Sequence, residues 1–138
     1  MSRPAALNAE QVELIRSSFD LITEYSDSVI KLFYGRLFEL EPAARGLFKI
    51  SIPEQAKKLY DTLGLLIRSL DDFETLRAEL AIMGRNHAGY GVLPRHYESL
   101  RSAMLWAFGQ ALGPDFDRPT REAWFQLLTA VSTAMMEG

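Results

Sequence analysis

Apolar residues recur along most of this chain at the spacing of an α-helix. Phe73, Leu76, Leu80 and Met83 follow one another at intervals of three and four residues, which places their side chains on one helical face. His87 continues the series and is therefore predicted to lie on the same face. Residues 49–52 could form a short strand, but no partner strand is found elsewhere, so we assign them to a loop. The pattern predicts an all-α protein.

Capping residues, prolines and glycines divide this pattern into six main helices. Asn8, with Gln11 three residues later, is typical of a helix N-terminus and opens a helix over residues 9–22. Asp117 is predicted to cap the last helix. The other predicted elements are a helix over residues 29–40, a short helical turn from Pro42 toward Phe48, a helix from Pro53 to Leu70, a helix from Phe73 that Gly89 and Gly91 end, and a helix from Pro94 to Gly113.

Length and charge limit the architecture and the partners. The chain has 138 residues, so we expect one domain over residues 1–138, with a short N-terminal tail over residues 1–7. The longest stretches without a charged side chain, residues 102–114 and 123–136, are shorter than the ~20 apolar residues that cross a bilayer. No secretory signal is recognised, and a net charge of −3 without a basic cluster argues against nucleic-acid binding. We therefore expect a cytoplasmic protein without membrane insertion.

Cysteine is absent and there are two histidines, which limits the metal chemistry of the chain. Without cysteine there are no disulfides, iron–sulfur clusters or thiolate ligands, and any imidazole chemistry falls on His87 or His96. His87 has two interpretations: a histidine at the edge of the core, or an axial ligand of haem iron. In the second, the backbone carbonyl of Met83, one turn earlier, accepts a hydrogen bond from the other ring nitrogen and orients the imidazole.

The residues after His87 form a motif of fixed spacing. Gly91 and Val92 follow His87 by four and five residues, and His96 and Tyr97 then open the next predicted helix. This arrangement resembles the proximal segment of bacterial globins.

The resemblance extends over residues 8–137. Gln55 and Leu59 resemble the distal pair of single-domain bacterial globins and flavohaemoglobins, and Gln55 precedes His87 by 32 residues. The remaining matches are Leu32-Phe33-Tyr34 and Leu37-Phe38 in the second helix, Glu41-Pro42 and Leu47-Phe48 in the short third helix, and residues 112–135, which are also similar to the closing helices of neuroglobins.

This resemblance implies a globin fold, a three-over-three helical sandwich that encloses one haem b with His87 as the iron ligand. It implies that Tyr34 and Gln55 donate hydrogen bonds to a diatomic ligand, in a pocket walled by Phe48 and Leu59. Other residues implied at the haem are Lys58, Met83, Val92, Tyr97 and Leu100. From the residues alone, a core role for Tyr34 and a solvated role for Gln55 and Lys58 stay open.

Two further residues near the proximal side keep alternative interpretations. His96 is a rival ligand, but its position at a helix start favours a place at the haem edge or on the surface. In flavohaemoglobins a tyrosine at the position of Tyr97 acts together with a glutamate late in the final helix. Glu137 lies near that position without aligning with it.

The resemblance implies reversible binding of O2, NO and CO, with a role in O2 transport or in NO detoxification. As an enzyme, the protein would be a nitric oxide dioxygenase that depends on a separate reductase for electrons. The alternatives from other classes are a haem-based gas sensor and a haem-free helical interaction module.

Overall fold

The computed structural model describes residues 7–47, 51–89 and 91–137. Within these ranges the chain forms six α-helices and two short 3-10 helices, and no strand, which confirms the all-α prediction. The α-helices are α1 (Ala9–Glu24), α2 (Ser26–Leu40), α3 (Ile52–Arg68), α4 (Phe73–Gly89), α5 (Pro94–Leu112) and α6 (Arg118–Met136). The 3-10 helices are Pro42–Leu47 and Gly113–Asp115. None of the described helices is long and apolar enough to span a membrane.

The predicted caps are formed by short side-chain hydrogen bonds. The Gln11 backbone N–H donates to Asn8 Oδ1 at 2.8 Å, and the Asn8 backbone N–H donates to Gln11 Oε1 at 3.1 Å. At the start of α6 the Thr120 backbone N–H donates to Asp117 Oδ1 at 3.0 Å. These bonds satisfy donors that the first turn of a helix leaves without a partner, and both predicted helix starts are confirmed.

Some boundaries differ from the prediction. Ile52, which was predicted to lie in a loop, begins α3, because Ser51 accepts a hydrogen bond from the Glu54 backbone N–H at 3.4 Å and so caps the helix. Leu7, the last residue of the predicted tail, is buried in the core. The predicted contribution of Phe48 to the short helix, and the loop at residues 49 and 50, lie outside the described residues.

The core lies where α1, α5 and α6 meet. Trp124 of α6 is fully buried, and its ring contacts the ring of Phe108 from α5 edge-on, with 4.9 Å between centroids. The Trp124 indole N–H donates to the hydroxyl of Ser18 on α1 at 2.8 Å. This bond supplies the partner that a buried indole N–H requires, and it links the first helix to the last.

Two helix pairs position the predicted site residues. The helix α2, which carries Tyr34, packs extensively along α5, and α4, which carries His87, packs along α6. The second pair is in backbone contact at Gly84, where an added Cβ would overlap the carbonyl group of Met135. Glycine therefore allows α4 to lie directly on α6, and this contact is one turn from His87.

Candidate functional site

The imidazole of His87 is held by its own helix. Its Nδ1 lies 2.6 Å from the backbone carbonyl oxygen of Met83, as the sequence analysis expected. A carbonyl oxygen only accepts, so Nδ1 carries the proton in this bond. In the neutral ring Nε2 then has its lone pair available to a metal ion. His87 is half-buried in the last turn of α4.

The turn after α4 is held by a backbone hydrogen bond to the end of the helix and lies beside the first 3-10 helix. The Val92 backbone N–H donates to the carbonyl oxygen of His87 at 3.0 Å, and this bond ties the predicted haem neighbour Val92 to the end of the helix. Between them, Gly91 has a φ of +94°, which favours glycine because a side chain would be strained there. A Cβ at Gly91 would lie 3.6 Å from Leu47, so the end of the first 3-10 helix lies beside this turn.

Tyr34 is buried on α2 among other aromatic side chains. Its ring centroid lies 4.8 Å from that of Phe33 and 6.0 Å from that of Phe38. Burial raises the pKa of the Tyr34 phenol to about 12, because the charged phenolate is poorly solvated there. The hydroxyl therefore stays protonated at neutral pH and can donate a hydrogen bond.

The three predicted residues of α3 differ in exposure. Gln55 and Leu59 are half-buried and lie one turn apart, so they share a face of the helix. Lys58 is exposed. Its contact with a haem propionate stays a prediction.

The remaining predicted haem residues lie at the edge of the core. Leu59, Met83, Tyr97 and Leu100 are partly buried and pack against it, from α3, α4 and α5. Burial also raises the pKa of the Tyr97 phenol, which keeps it neutral. Phe48, the predicted wall residue, falls in the part of the chain that is not described.

His96 faces protein groups at both ring nitrogens. Its Nδ1 accepts a hydrogen bond from the Leu93 backbone N–H at 2.9 Å, so the side chain helps to cap α5. Its Nε2 lies 4.0 Å from Oε2 of Glu41. The other carboxylate oxygen of Glu41 accepts from the Ser99 hydroxyl at 3.2 Å and lies 3.4 Å from Nε of Arg95. Sequence reasoning missed this cluster, since Glu41 and Ser99 are 58 residues apart.

Glu137 contacts α4. Its Oε2 lies 3.6 Å from Nη1 of Arg77, and both side chains are substantially exposed. This pairing places the carboxylate at the end of α6, beside α4.

The described side chains fit a haem in their donor chemistry. The His87 imidazole has one nitrogen committed to Met83, half-buried apolar side chains stand on the neighbouring helices, and the Tyr34 phenol is neutral. Within residues 7–47, 51–89 and 91–137, no three His, Cys, Asp or Glu side chains are gathered to hold a metal ion by themselves. A single imidazole with apolar surroundings is one of the arrangements by which proteins hold haem iron.

The all-α architecture and the orientation of His87 are compatible with a haem-binding helical protein. The sequence model of the Globin family matches residues 31–135. The chain therefore belongs to the globin family, which confirms the resemblance, and membership implies a haem-binding protein.

Flavohaemoproteins and neuroglobins are among the proteins of known sequence that are similar to this chain. A flavohaemoprotein of Xylella fastidiosa is 28% identical over 123 residues, which are 87% of this chain and 31% of that protein. The chain thus spans about a third of the length of the flavohaemoproteins it matches. Neuroglobin-2 of Oncorhynchus mykiss is 29% identical over 146 aligned positions, which cover 96% of this chain and 92% of that protein.

Two solved structures are similar over most of the chain. One is an engineered carbene transferase built on RmaNOD, a candidate nitric oxide dioxygenase from Rhodothermus marinus, with 27% identity and a TM-score of 0.79. The match covers 93% of this chain and 89% of that chain. The other is a bacterial globin from Campylobacter jejuni, with 20% identity and a TM-score of 0.80 over 94% of each chain. The second likeness bears on the fold alone, and it confirms the predicted globin fold.

Proposed function

We propose that this protein binds haem b through Nε2 of His87 and binds O2 reversibly, together with NO and CO. The observation that carries the proposal is the 2.6 Å contact between His87 Nδ1 and the Met83 carbonyl oxygen. It orients the ring and leaves the other nitrogen for the iron. When bound, the haem supplies an iron centre with a coordination position for a diatomic gas.

The other predicted residues complete the proposed pocket. Tyr34, whose phenol is neutral, donates a hydrogen bond toward the gas, and the Gln55 amide supplies a second donor. Glutamine is a weaker iron ligand than histidine, so a distal Gln55 keeps the coordination position open. Leu59 excludes water on this side. On the other side the apolar contacts come from Met83, Val92, Tyr97 and Leu100, and Lys58 reaches a propionate.

The haem proposal is tested by absorption spectra of the reduced, oxygenated and CO-bound protein. We expect a Soret band from the wild-type protein, loss of the native iron ligation in His87→Ala, and its partial recovery when free imidazole is added to that variant. His96→Ala is the matched control, because both nitrogens of His96 face protein groups, and it should keep the wild-type spectrum. Native ligation in His87→Ala, or a chain that takes up no haem, would overturn the proposal.

For the physiological role we propose NO detoxification, the conversion of NO and O2 to nitrate. Support comes from the flavohaemoprotein relatives and from the candidate nitric oxide dioxygenase among the structural neighbours. The cycle requires electrons for the iron, so we propose a separate reductase as partner. If the protein does not convert NO to nitrate repeatedly, we propose O2 binding and transport as its role.

Nitrate formation separates the two roles. With NO, O2, NADH and a flavoprotein reductase, the dioxygenase role predicts many equivalents of nitrate per haem. One equivalent or less, under conditions where the reductase keeps the haem reduced, would leave O2 binding as the function. A cytoplasmic location, one domain over residues 1–138 and the absence of a nucleic-acid partner stay predictions.

A further inference from the structure

A wide cleft runs along α3, between this helix, α1 and the first half of α2. Its volume is about 980 Å³. The lining extends from Ile52 to Arg68, which is the full length of α3, about 24 Å at ~1.5 Å per residue. Small-molecule sites in proteins are concave, mostly apolar and about 300–1,000 Å³ in volume. The cleft is therefore large enough for a small organic ligand of extended shape.

The cleft lies on a different face of α3 from the predicted haem site. Leu59 follows Gln55 by one turn and shares its face, whereas Tyr60, Gly64 and Arg68, which line the cleft, follow Gln55 by five, nine and thirteen residues. At ~100° per residue these positions lie about 140°, 180° and 140° around the helix from Gln55. A ligand in the cleft would occupy a site separate from the haem.

The walls of the cleft leave apolar surface uncovered. The side chains of Phe19, Ile30, Ile52 and Tyr60 line it and are only half-buried. The Phe19 ring lies 6.5 Å from the Tyr60 ring, so the two form one apolar surface between α1 and α3. Covering such surface with a hydrocarbon removes it from water, which favours binding.

The lining also carries more positive than negative charge. Its charged residues are the cations Lys31, Lys57 and Arg68 and the anions Asp27 and Asp61. Lys57 Nζ and Asp61 Oδ2 lie 2.9 Å apart, so these two charges offset each other. Lys31 and Arg68 outweigh the remaining Asp27, and one net positive charge is left. The cleft therefore favours a ligand with a single negative charge.

The Arg68 guanidinium is placed to hold that charge. A Cβ at Gly64 would lie 3.2 Å from Nη1 of Arg68, so the guanidinium lies over this buried glycine, one turn earlier on α3. Among the residues that the structure describes, none forms a hydrogen bond or an ion pair with the Arg68 side chain. Arg16, beside the same end of α3, pairs with Asp71 at 3.4 Å. An unpaired guanidinium binds a carboxylate through two parallel hydrogen bonds.

Asp27 determines where a negative group is disfavoured. Burial and the negative charge of Asp27 raise the pKa of Tyr60 to about 12, so this carboxylate acts near the middle of α3. Lys31 follows Asp27 by one turn on α2, and the two opposite charges offset each other at that end of the cleft. Arg68 lies about two turns beyond Tyr60 along α3, away from the position where Asp27 repels an anion.

The length, the apolar walls and the charge together define the ligand. We propose that this cleft binds a linear long-chain carboxylate, such as a free fatty acid, whose head pairs with the Arg68 guanidinium and whose hydrocarbon chain lies along α3 toward Ile52. The hydrocarbon chain covers the half-buried apolar side chains, and the head neutralises the net charge of the lining.

The test measures binding of dodecanoate to the haem-loaded, CO-bound protein by equilibrium dialysis, below the concentration at which dodecanoate forms micelles. Bound CO keeps the carboxylate from the iron. Dodecanol is the matched neutral probe, dodecylammonium the matched cation and octanoate the shorter anion. We expect one dodecanoate per chain, bound more tightly than dodecanol or dodecylammonium. Octanoate should bind about tenfold or more weakly, because it buries fewer CH2 groups.

Variants of two cations in the cleft locate the head group. Arg68→Met should weaken dodecanoate binding about three- to tenfold and leave dodecanol binding unchanged, because it removes the charge and keeps an apolar side chain. Lys31→Met should have a smaller effect than Arg68→Met. Arg121→Met alters an exposed arginine outside the cleft and should leave dodecanoate affinity unchanged.

A third variant in the cleft tests the place of the hydrocarbon chain. Gly64→Leu puts a side chain into the cleft, where the nearest atom is Nη1 of Arg68, the end of a flexible chain that can move. This variant should lose binding of both dodecanoate and dodecanol, with its helical circular dichroism retained.

Several results would overturn the proposal. They are the absence of saturable dodecanoate binding, tighter binding of dodecanol or dodecylammonium than of dodecanoate, equal effects of Arg68→Met on dodecanoate and dodecanol, a larger effect of Lys31→Met than of Arg68→Met, and wild-type affinity in a folded Gly64→Leu protein. If Gly64→Leu does not fold, the comparison of Arg68→Met with Arg121→Met decides the question. Haem binding is scored separately by the absorption spectrum, so a failure of the haem proposal is distinguishable from a failure here.

Discussion

Tyr34, which is buried, and Tyr60, which is partly buried, shape the response of the protein to alkaline pH. The pKa values of Tyr34 and Tyr60 are raised from 10.0 to about 12 in the folded protein. Between these values the unfolded chain loses its phenolic protons while the folded chain keeps them. The free energy of unfolding therefore falls as the pH rises through this window, and the two groups have no effect well below pH ~10.

Substitution of either tyrosine by phenylalanine should reduce this alkaline loss of stability. We expect Tyr34→Phe and Tyr60→Phe each to show a smaller fall in the urea midpoint between pH ~9 and pH ~11 than the wild-type protein. The exposed Tyr25 supplies the control, since Tyr25→Phe should follow the wild-type curve. Identical pH dependence in all four proteins would show that the buried phenols do not resist ionisation.

The Tyr34 hydroxyl also carries a prediction about ligand binding, which rests on the proposed haem site. Tyr34→Phe should speed O2 dissociation about three- to tenfold, because a neutral hydrogen bond to the ligand contributes ~0.5–1.5 kcal/mol. Stopped-flow displacement of O2 by CO measures this rate. An unchanged rate in Tyr34→Phe would assign the residue to the core, which is the alternative that the sequence left open.

At the scale of helices, the contact between α4 and α6 depends on the absence of a side chain at Gly84. A Cβ at Gly84 would overlap the Met135 carbonyl group, and backbone cannot move aside as a flexible side chain can. Gly84 precedes His87 by three residues on α4. The same contact therefore supports the helix that carries the proposed iron ligand.

Gly84→Ala should separate the two helices and destabilise the protein by about 1–3 kcal/mol, as an added group does in a packed interior. Gly35 on α2 is the matched control because nothing lies within 4 Å of its added Cβ. Gly35→Ala should be neutral or gain about 0.5–1 kcal/mol from helix propensity. Guanidinium unfolding measures both changes, and equal stability of the two variants would contradict the close contact.

For the molecule as a whole, haem binding and folding should be coupled. A ligand that binds the folded chain and not the unfolded one stabilises it by about 4 kcal/mol when its free concentration is ~1,000 times its Kd. We expect haem-loaded protein to unfold at a higher guanidinium midpoint than the same chain after haem extraction. His87→Ala should shrink that difference and His96→Ala should not. A His87→Ala protein with the full wild-type increment would contradict ligation by this residue.

The helices themselves could be predicted because their signals are local. The Asn8–Gln11 capping box and the cap at Asp117 each join residues three positions apart, and the His87–Met83 bond joins residues four apart. The helix α3 has Pro53 in its first turn as predicted and begins one residue earlier, at Ile52, because Ser51 caps it. Capping bonds and the His87–Met83 bond depend on the spacing of residues along the chain, and not on how the helices cross.

Sequence alone determined the all-α class, the order of the helices and the place of His87 one turn after Met83, because these follow from periodicity and short-range bonds. Only the tertiary structure decided that Gly84 lies on Met135, that Glu41 lies beside His96, and that the Tyr60 hydroxyl is buried. These contacts join residues far apart in the chain. They depend on the angles and distances at which packed helices cross, which the apolar pattern of a single helix does not specify.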